Sequence, residues 1–281
     1  GGKSSGWPPS SGCNRWPAGS ERRFFGKGRS DSRFPQDLGL RSRRRARGAT
    51  GSPRTLHARF GRPGVARGSM KSLNWTNLLF LTTAHIVGVL AILYLVFIHF
   101  SWWTVSFALL WVFLCGVSIT GGYHRLFSHA SYTASPALRA FYLLFGAASV
   151  QNSALAWAAD HRAHHANSDR AGDPYNIKLG FWWAHIGWVV SQRRDGKDLA
   201  LVQDLAADPL VRFQHRYYVP LAILFGALIP GLVGLAWGDP IGALLVAGWL
   251  RLVVQWHSTF SVNSIAHLFG RRPYSRTSSA R

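Results

Sequence analysis

The chain has 281 residues, a formal charge of +21, two cysteines (Cys13 and Cys115) and a single glutamate, Glu21. Two cysteines exclude a disulfide framework and a Cys-rich zinc or iron–sulfur site. One glutamate excludes a carboxylate-bridged di-iron site, which draws on several glutamates, including Glu-x-x-His pairs. A metal centre here must rest on imidazole, of which the chain carries 12.

Residues 1–69 hold 16 of the 32 Lys and Arg residues and 3 of the 11 acidic ones, so much of the charge belongs to this leader. Its Arg, Gly, Ser and Pro content buries too little apolar surface to offset chain entropy, and the leader is expected to be disordered. Three accounts of it stand: a tail for nucleic acid or anionic lipid, an organelle transit peptide, or sequence upstream of a true translation start at Met70. Met70 is the only methionine and directly precedes the first apolar run, which favours the third. Residues 70–281 are expected to form one membrane domain.

An apolar run of about 20 residues crosses a bilayer as a helix. Four runs qualify: Leu78–Phe100, Trp102–Ile119, Val219–Trp237 and Ile241–Val262, the last after a Gly-Asp-Pro turn at 238–240. Cys115 reads as a small buried hydrophobe within the second. Ala137–Val150 is too short to cross, and Ser135-Pro136 is a helix start with Ser as N-cap and Pro at the first position. The expected fold is all-α: four transmembrane helices with a helical cytosolic cap carrying a histidine-rich di-metal site.

The connections near Phe100–Trp102 and Trp237–Ile241 carry no Lys or Arg. The other side carries Lys71, Arg125, Arg139, Arg193, Arg194, Lys197, Arg212, Arg216, Arg271 and Arg272, so the positive-inside rule puts both termini in the cytoplasm. That topology sends His124, the group His161, His164 and His165, and the Asn263–His267 element to one membrane face.

His161, His164 and His165 are spaced i, i+3 and i+4 and share one helical face. His124 and His129 are separated by about 140° on an ideal helix, so they converge only if the helix bends or loosens, as Gly121-Gly122 permits. Imidazole suits Zn, Cu, Fe and Ni, and its second nitrogen is usually held by an outer partner; Asp160 and Asp169 are candidates. His85, His99, His185, His215 and His257 stand alone and read as packing or hydrogen-bonding residues. Arg251, in the middle of the fourth run, needs a partner inside the bundle, with Gln255 at i+4 one candidate; structural and substrate-lining roles both remain open.

The segments Gly122-Tyr-His-Arg-Leu-Phe-Ser-His129, Asp160-His-Arg-Ala-His-His165 and Val262-Asn-Ser-Ile-Ala-His-Leu-Phe-Gly270 resemble the membrane-bound stearoyl-type fatty acyl desaturases. The resemblance runs from Met70 to Arg281 and includes Gln151-Asn152, Trp157, Asp173-Pro174, the segment 180–188 and Arg272-Pro-Tyr274. It implies an oxidoreductase holding two iron ions. The implied ligands are His124, His129, His161, His164, His165 and His267, with Asn263 reaching a metal through water. Gln151, Asn152, Trp157 and Asp160 would line the acyl tunnel or its mouth. Two departures accompany the likeness. The family's third box, His-x-x-His-His, follows the Arg-Pro-Tyr element, whereas this chain stops at Arg281, so three ligands are expected to be missing. Animal members carry an arginine where this chain has Ala159, which weakens the case for CoA and leaves an acyl lipid or another thioester open.

The implied reaction places a cis double bond, near carbon nine, in a long-chain acyl thioester or acyl lipid. Abstracting hydrogen from a methylene group requires a redox metal with O2, and two electrons must come from a donor such as a cytochrome-b-type haem protein or a ferredoxin. The membrane is an expected partner; nucleic acid is not. The rival readings are a histidine-ligated membrane fatty acid hydroxylase and an inactive truncated membrane protein.

Overall fold

The computed structural model describes residues 72–191, 199–273 and 278–281. The leader, Met70, Lys71, Arg193, Arg194, Lys197 and Tyr274 lie outside the described residues. Every regular element among the described residues is a helix, and the one extended pairing is an isolated bridge between Leu73 and Ser191. The main helices are α1 (Trp75–Ile98), α2 (Trp102–Ser128), α3 (Pro136–Ala148), α4 (Ala154–Asn167), α5 (183–190), α6 (Pro209–Arg216), α7 (Tyr218–Trp237) and α8 (240–268).

Short polar side chains start most of them. Asn74, Ser101, Ser135, Ser153, Asp208 and Asp239 each accept a backbone N–H of the first turn of α1, α2, α3, α4, α6 and α8. Such caps satisfy donors that a helix start leaves unpaired. The expected start at Ser135-Pro136 has this form, with Pro136 at the first position. Helix α7 ends at Gly238, in the left-handed region with φ of 76°, where glycine carries no steric penalty.

Helices α1, α2 and α7 are long and apolar enough to cross a membrane. They expose Leu79, Ile86, Val89, Phe97, Trp102, Leu109, Phe113, Leu228 and Leu232. Apolar surface on this scale is stable against lipid and costly against water. The second expected run stops at Ile119, but its helix continues to Ser128 and carries His124 within it. The fourth expected run lies inside α8, a continuous helix of roughly 40 Å at 1.5 Å per residue. The short apolar segment forms α3, packed along α2 and α7.

Arg251 is 1% exposed in the middle of α8. Its guanidinium donates to the carbonyls of Ala247, Ala148, Gly226 and Gly248, to Gln255 Oε1 at 3.4 Å and to Cys115 Sγ at 3.6 Å. Of the two roles left open for it, the structural one describes these contacts: one side chain ties α2, α3, α7 and α8 together, with Gln255 among several acceptors. Trp256 Nε1 and Gln255 Nε2 extend the tie to the backbone and hydroxyl of Ser149.

Candidate metal centre

The second half of α2, Ser118–Ser128, is wound with i→i+5 hydrogen bonds. His129 N donates to the His124 carbonyl at 3.1 Å and Ser128 Oγ to the Tyr123 carbonyl at 2.7 Å. Looser winding turns each residue by less than the roughly 100° of an α-helix, which brings positions 124 and 129 toward one side, and their rings meet edge to face with centroids 4.7 Å apart. Insertions of this kind are common at functional sites. The glycines serve close approach: a Cβ on Gly122 would lie 2.6 Å from Tyr142 Cβ, and one on Gly146 would collide with the Tyr123 ring. Helices α2 and α3 are thereby locked together beneath the histidines.

Helix α4 supplies the opposing side. One ring nitrogen from each of His124, His129, His161 and His165 lies within 4.8 Å of the others. His161 Nε2 is 2.8 Å from His129 Nε2 and 3.0 Å from His165 Nε2. Nitrogens each about 2.1 Å from one tetrahedral ion lie about 3.4 Å apart, so the cluster is near the size that a cation requires. Trp157 stacks on His161 at 4.8 Å and 24°. Burial, reinforced by the imidazoles of His165, His124, His129 and His164, pushes His161 down from its usual 6.5 to about 2. The ring is therefore neutral at physiological pH, the form that ligates metal.

His164 and His267 form a second pair, their rings 5.9 Å apart. The carboxylate on His164 is Asp173, at 2.7 Å from Nδ1, rather than either expected residue, Asp160 or Asp169. Asp169 instead accepts from Ser279 Oγ, which lies 2.6 Å from His267 Nδ1. Asp160 is buried beside His161 on α4. Helical spacing does not point to Asp173 as an outer partner, because it lies nine positions and a turn beyond His164; in the sequence it stands out only through the Asp173-Pro174 element of the resemblance.

A cavity of about 880 Å³ opens beside the cluster, within the ~300–1,000 Å³ typical of ligand sites, and His124 and His161 form part of its wall. All four expected tunnel residues, Gln151, Asn152, Trp157 and Asp160, line it, as does Asn263. Gln151 is held by Thr259 Oγ1 at 3.1 Å, and Asn152 N donates to Tyr218 Oη at 3.0 Å. Three lone histidines interact elsewhere: His85 Nε2 lies 2.9 Å from His257 Nε2, and His257 Nδ1 lies 2.9 Å from His185 Nε2. His215 pairs with Ser153 at 2.7 Å.

A helical bundle with membrane-length apolar helices, closed on itself by a histidine cluster beside a cavity, describes a class of membrane proteins, and comparison with known sequences narrows it. No family model matches the chain. It is 46% identical over 182 residues to the probable acyl-CoA desaturase of Schizosaccharomyces pombe, covering 63% of this chain and 38% of that one. It is 39% identical over 205 residues to acyl-CoA desaturase 1 of Saccharomyces cerevisiae, covering 72% and 40%. With stearoyl-CoA desaturase 5 of Bos taurus it shares 36% over 231 residues, covering 78% and 67%. The chain belongs to the stearoyl-type acyl-CoA desaturase family, whose members are oxidoreductases of lipid metabolism, and it is an integral membrane protein. It spans about two-fifths of the length of the two yeast relatives.

Proposed function

We propose that this chain carries the membrane and histidine-bearing part of a fatty acyl desaturase that places a cis double bond near carbon nine of a long acyl chain. The observation that carries this reading is the convergence of His124, His129, His161 and His165 within 4.8 Å, against a cavity that they help to line. These four imidazoles would hold one iron and the His164–His267 pair would contribute to a second, with Asn263 reaching a metal through water. All-nitrogen donor sets suit iron among other ions. The bound irons supply the oxidising power, through O2, that side chains lack.

The protein's own residues would bind and orient. A long-chain acyl thioester or acyl lipid would lie in the cavity, where Gln151, Asn152, Trp157 and Asp160 meet it. Position along the cavity relative to His161 would select the methylene pair. The balanced reaction removes two hydrogens from adjacent methylenes and reduces O2 to two waters, with two protons from water and two electrons from a cytochrome-b-type haem protein or a ferredoxin. Helix α8 would make the fourth crossing, leaving both termini and the histidines on the cytoplasmic face.

A full-length version, purified from membranes, should contain iron, and a host lacking its own desaturase should accumulate monounsaturated acyl chains when that version is expressed. An alcohol product would favour the hydroxylase instead, and protein free of iron would overturn the assignment. In a full-length version, His164→Ala is expected to abolish iron binding and double-bond formation; retained product would count against the assignment.

A further inference from the structure

Between the histidines of α4 sits a side chain whose hydrogen-bonding capacity is fully used. A guanidinium has five N–H groups, and Arg162 makes five bonds. Nε donates to the Ser128 carbonyl at 2.9 Å, and one Nη2 hydrogen goes to the Phe127 carbonyl at 2.8 Å. One Nη1 hydrogen goes to the Leu201 carbonyl at 2.8 Å. The remaining two form a fork on Asp204, at 2.7 and 2.9 Å.

The partners are what matter. Phe127 and Ser128 close the i→i+5 segment of α2 and directly precede His129. Carbonyls at a helix end have no later turn to donate to them, and both residues are buried. Arg162 itself adjoins His161. A single rigid group therefore joins the end of the segment carrying His124 and His129 to the helix carrying His161 and His165. The side chain of Asp204 is 57% exposed, so its ion pair adds little stability. Its use is geometric, since a bidentate carboxylate holds the guanidinium plane in one orientation.

We propose that Arg162 is a positioning residue that sets the separation of the two histidine pairs, with Asp204 fixing its plane. The proposal rests on the reading that these histidines hold a metal. It assigns to Arg162 no contact with substrate or ion. Lysine would keep the charge but could not make the same planar set of bonds.

The test uses the detergent-solubilised full chain with Co2+ as probe, reading the dissociation constant and the visible d–d bands. Removing outer-shell partners typically costs about 10–100-fold in metal affinity. Arg162→Lys should therefore bind Co2+ at least about tenfold more weakly, with shifted bands. Asp204→Asn should shift the bands in the same direction with a smaller loss of affinity. Arg139→Lys, which loosens the separate ion pair with Asp208, should leave both readouts unchanged. If Arg162→Lys does not fold, Asp204→Asn decides. Bands and affinity like those of the unaltered chain in Asp204→Asn or Arg162→Lys overturn the proposal. Equal shifts in Arg139→Lys also overturn it, since they indicate general loosening of the packing around α3, α4 and α6. Failure of the unaltered chain to bind Co2+ removes the metal reading and this one with it.

Discussion

His164 Nδ1 lies 2.7 Å from Asp173 Oδ1, and the same carboxylate accepts the backbone N–H groups of Asp169 and Tyr175 through its two oxygens. A carboxylate accepts, so Nδ1 carries the hydrogen and the Nε2 lone pair is left for a metal. The chain from His164 to Tyr175 is thus folded around one carboxylate that fixes a tautomer.

From this relationship Asp173→Asn is expected to weaken metal binding by about 10–100-fold. The amide can turn its NH2 toward His164 and reverse the tautomer. Titration of the purified protein with Co2+ or Fe2+ measures the change, and affinity within twofold of the unaltered chain would contradict it.

Glycine 122 admits Tyr142 where a side chain would collide with Tyr142 Cβ. Gly122→Ala therefore pushes α3 away from the histidine-bearing end of α2. Overpacking of this kind costs about 1–3 kcal/mol. Thermal unfolding in detergent should show a lower midpoint, accompanied by loss of metal. Gly116→Ala meets open space inside a helix and should leave the midpoint unchanged or higher, since alanine favours a helix over glycine.

Arg251→Met is expected to be among the most destabilising single changes in the bundle. It leaves the carbonyls of Ala148 and Gly226 without the donors they have here, at about 1–3 kcal/mol for each orphaned buried acceptor. Denaturation in mixed micelles would register this; a midpoint equal to that of the unaltered chain would show that other donors replace the guanidinium.

Acid should weaken the metal-free fold. His161 is held near 2 in the native state against an ordinary 6.5, so below about 6.5 the unfolded chain takes up a proton that the folded chain refuses. Stability from this group is complete above pH 6.5 and declines as pH falls toward 2. The melting temperature of metal-free protein should drop between pH 7 and pH 4.5, and His161→Gln should flatten that slope. Metal loading should fall over the same range because protons compete for the ring. A melting temperature insensitive to pH would contradict the assignment.

Much of the bundle was legible because its causes are local in sequence. Runs of apolar residues at 78–100, 102–119 and 219–237 became helices α1, α2 and α7, since a long apolar segment has few other stable states in lipid. The shared face of His161 and His165 followed from helical spacing. The meeting of His124 with His129 was legible only as a condition, a helix loosened at Gly121-Gly122; the i→i+5 winding that meets it is stabilised by Tyr142 packing on Gly122 and by Arg162 on the last carbonyls. None of those partners is near in sequence.

Composition alone ruled out a Cys-rich site and a Glu-bridged one and pointed to imidazole, and hydropathy alone established helices of membrane length. Tertiary structure decided which nitrogens converge, which carboxylate supports His164 and how Arg251 is satisfied. The physical reason is range. Hydrophobic spacing acts over a few turns of one helix, whereas hydrogen bonds that orient a ring join residues brought together only when helices pack.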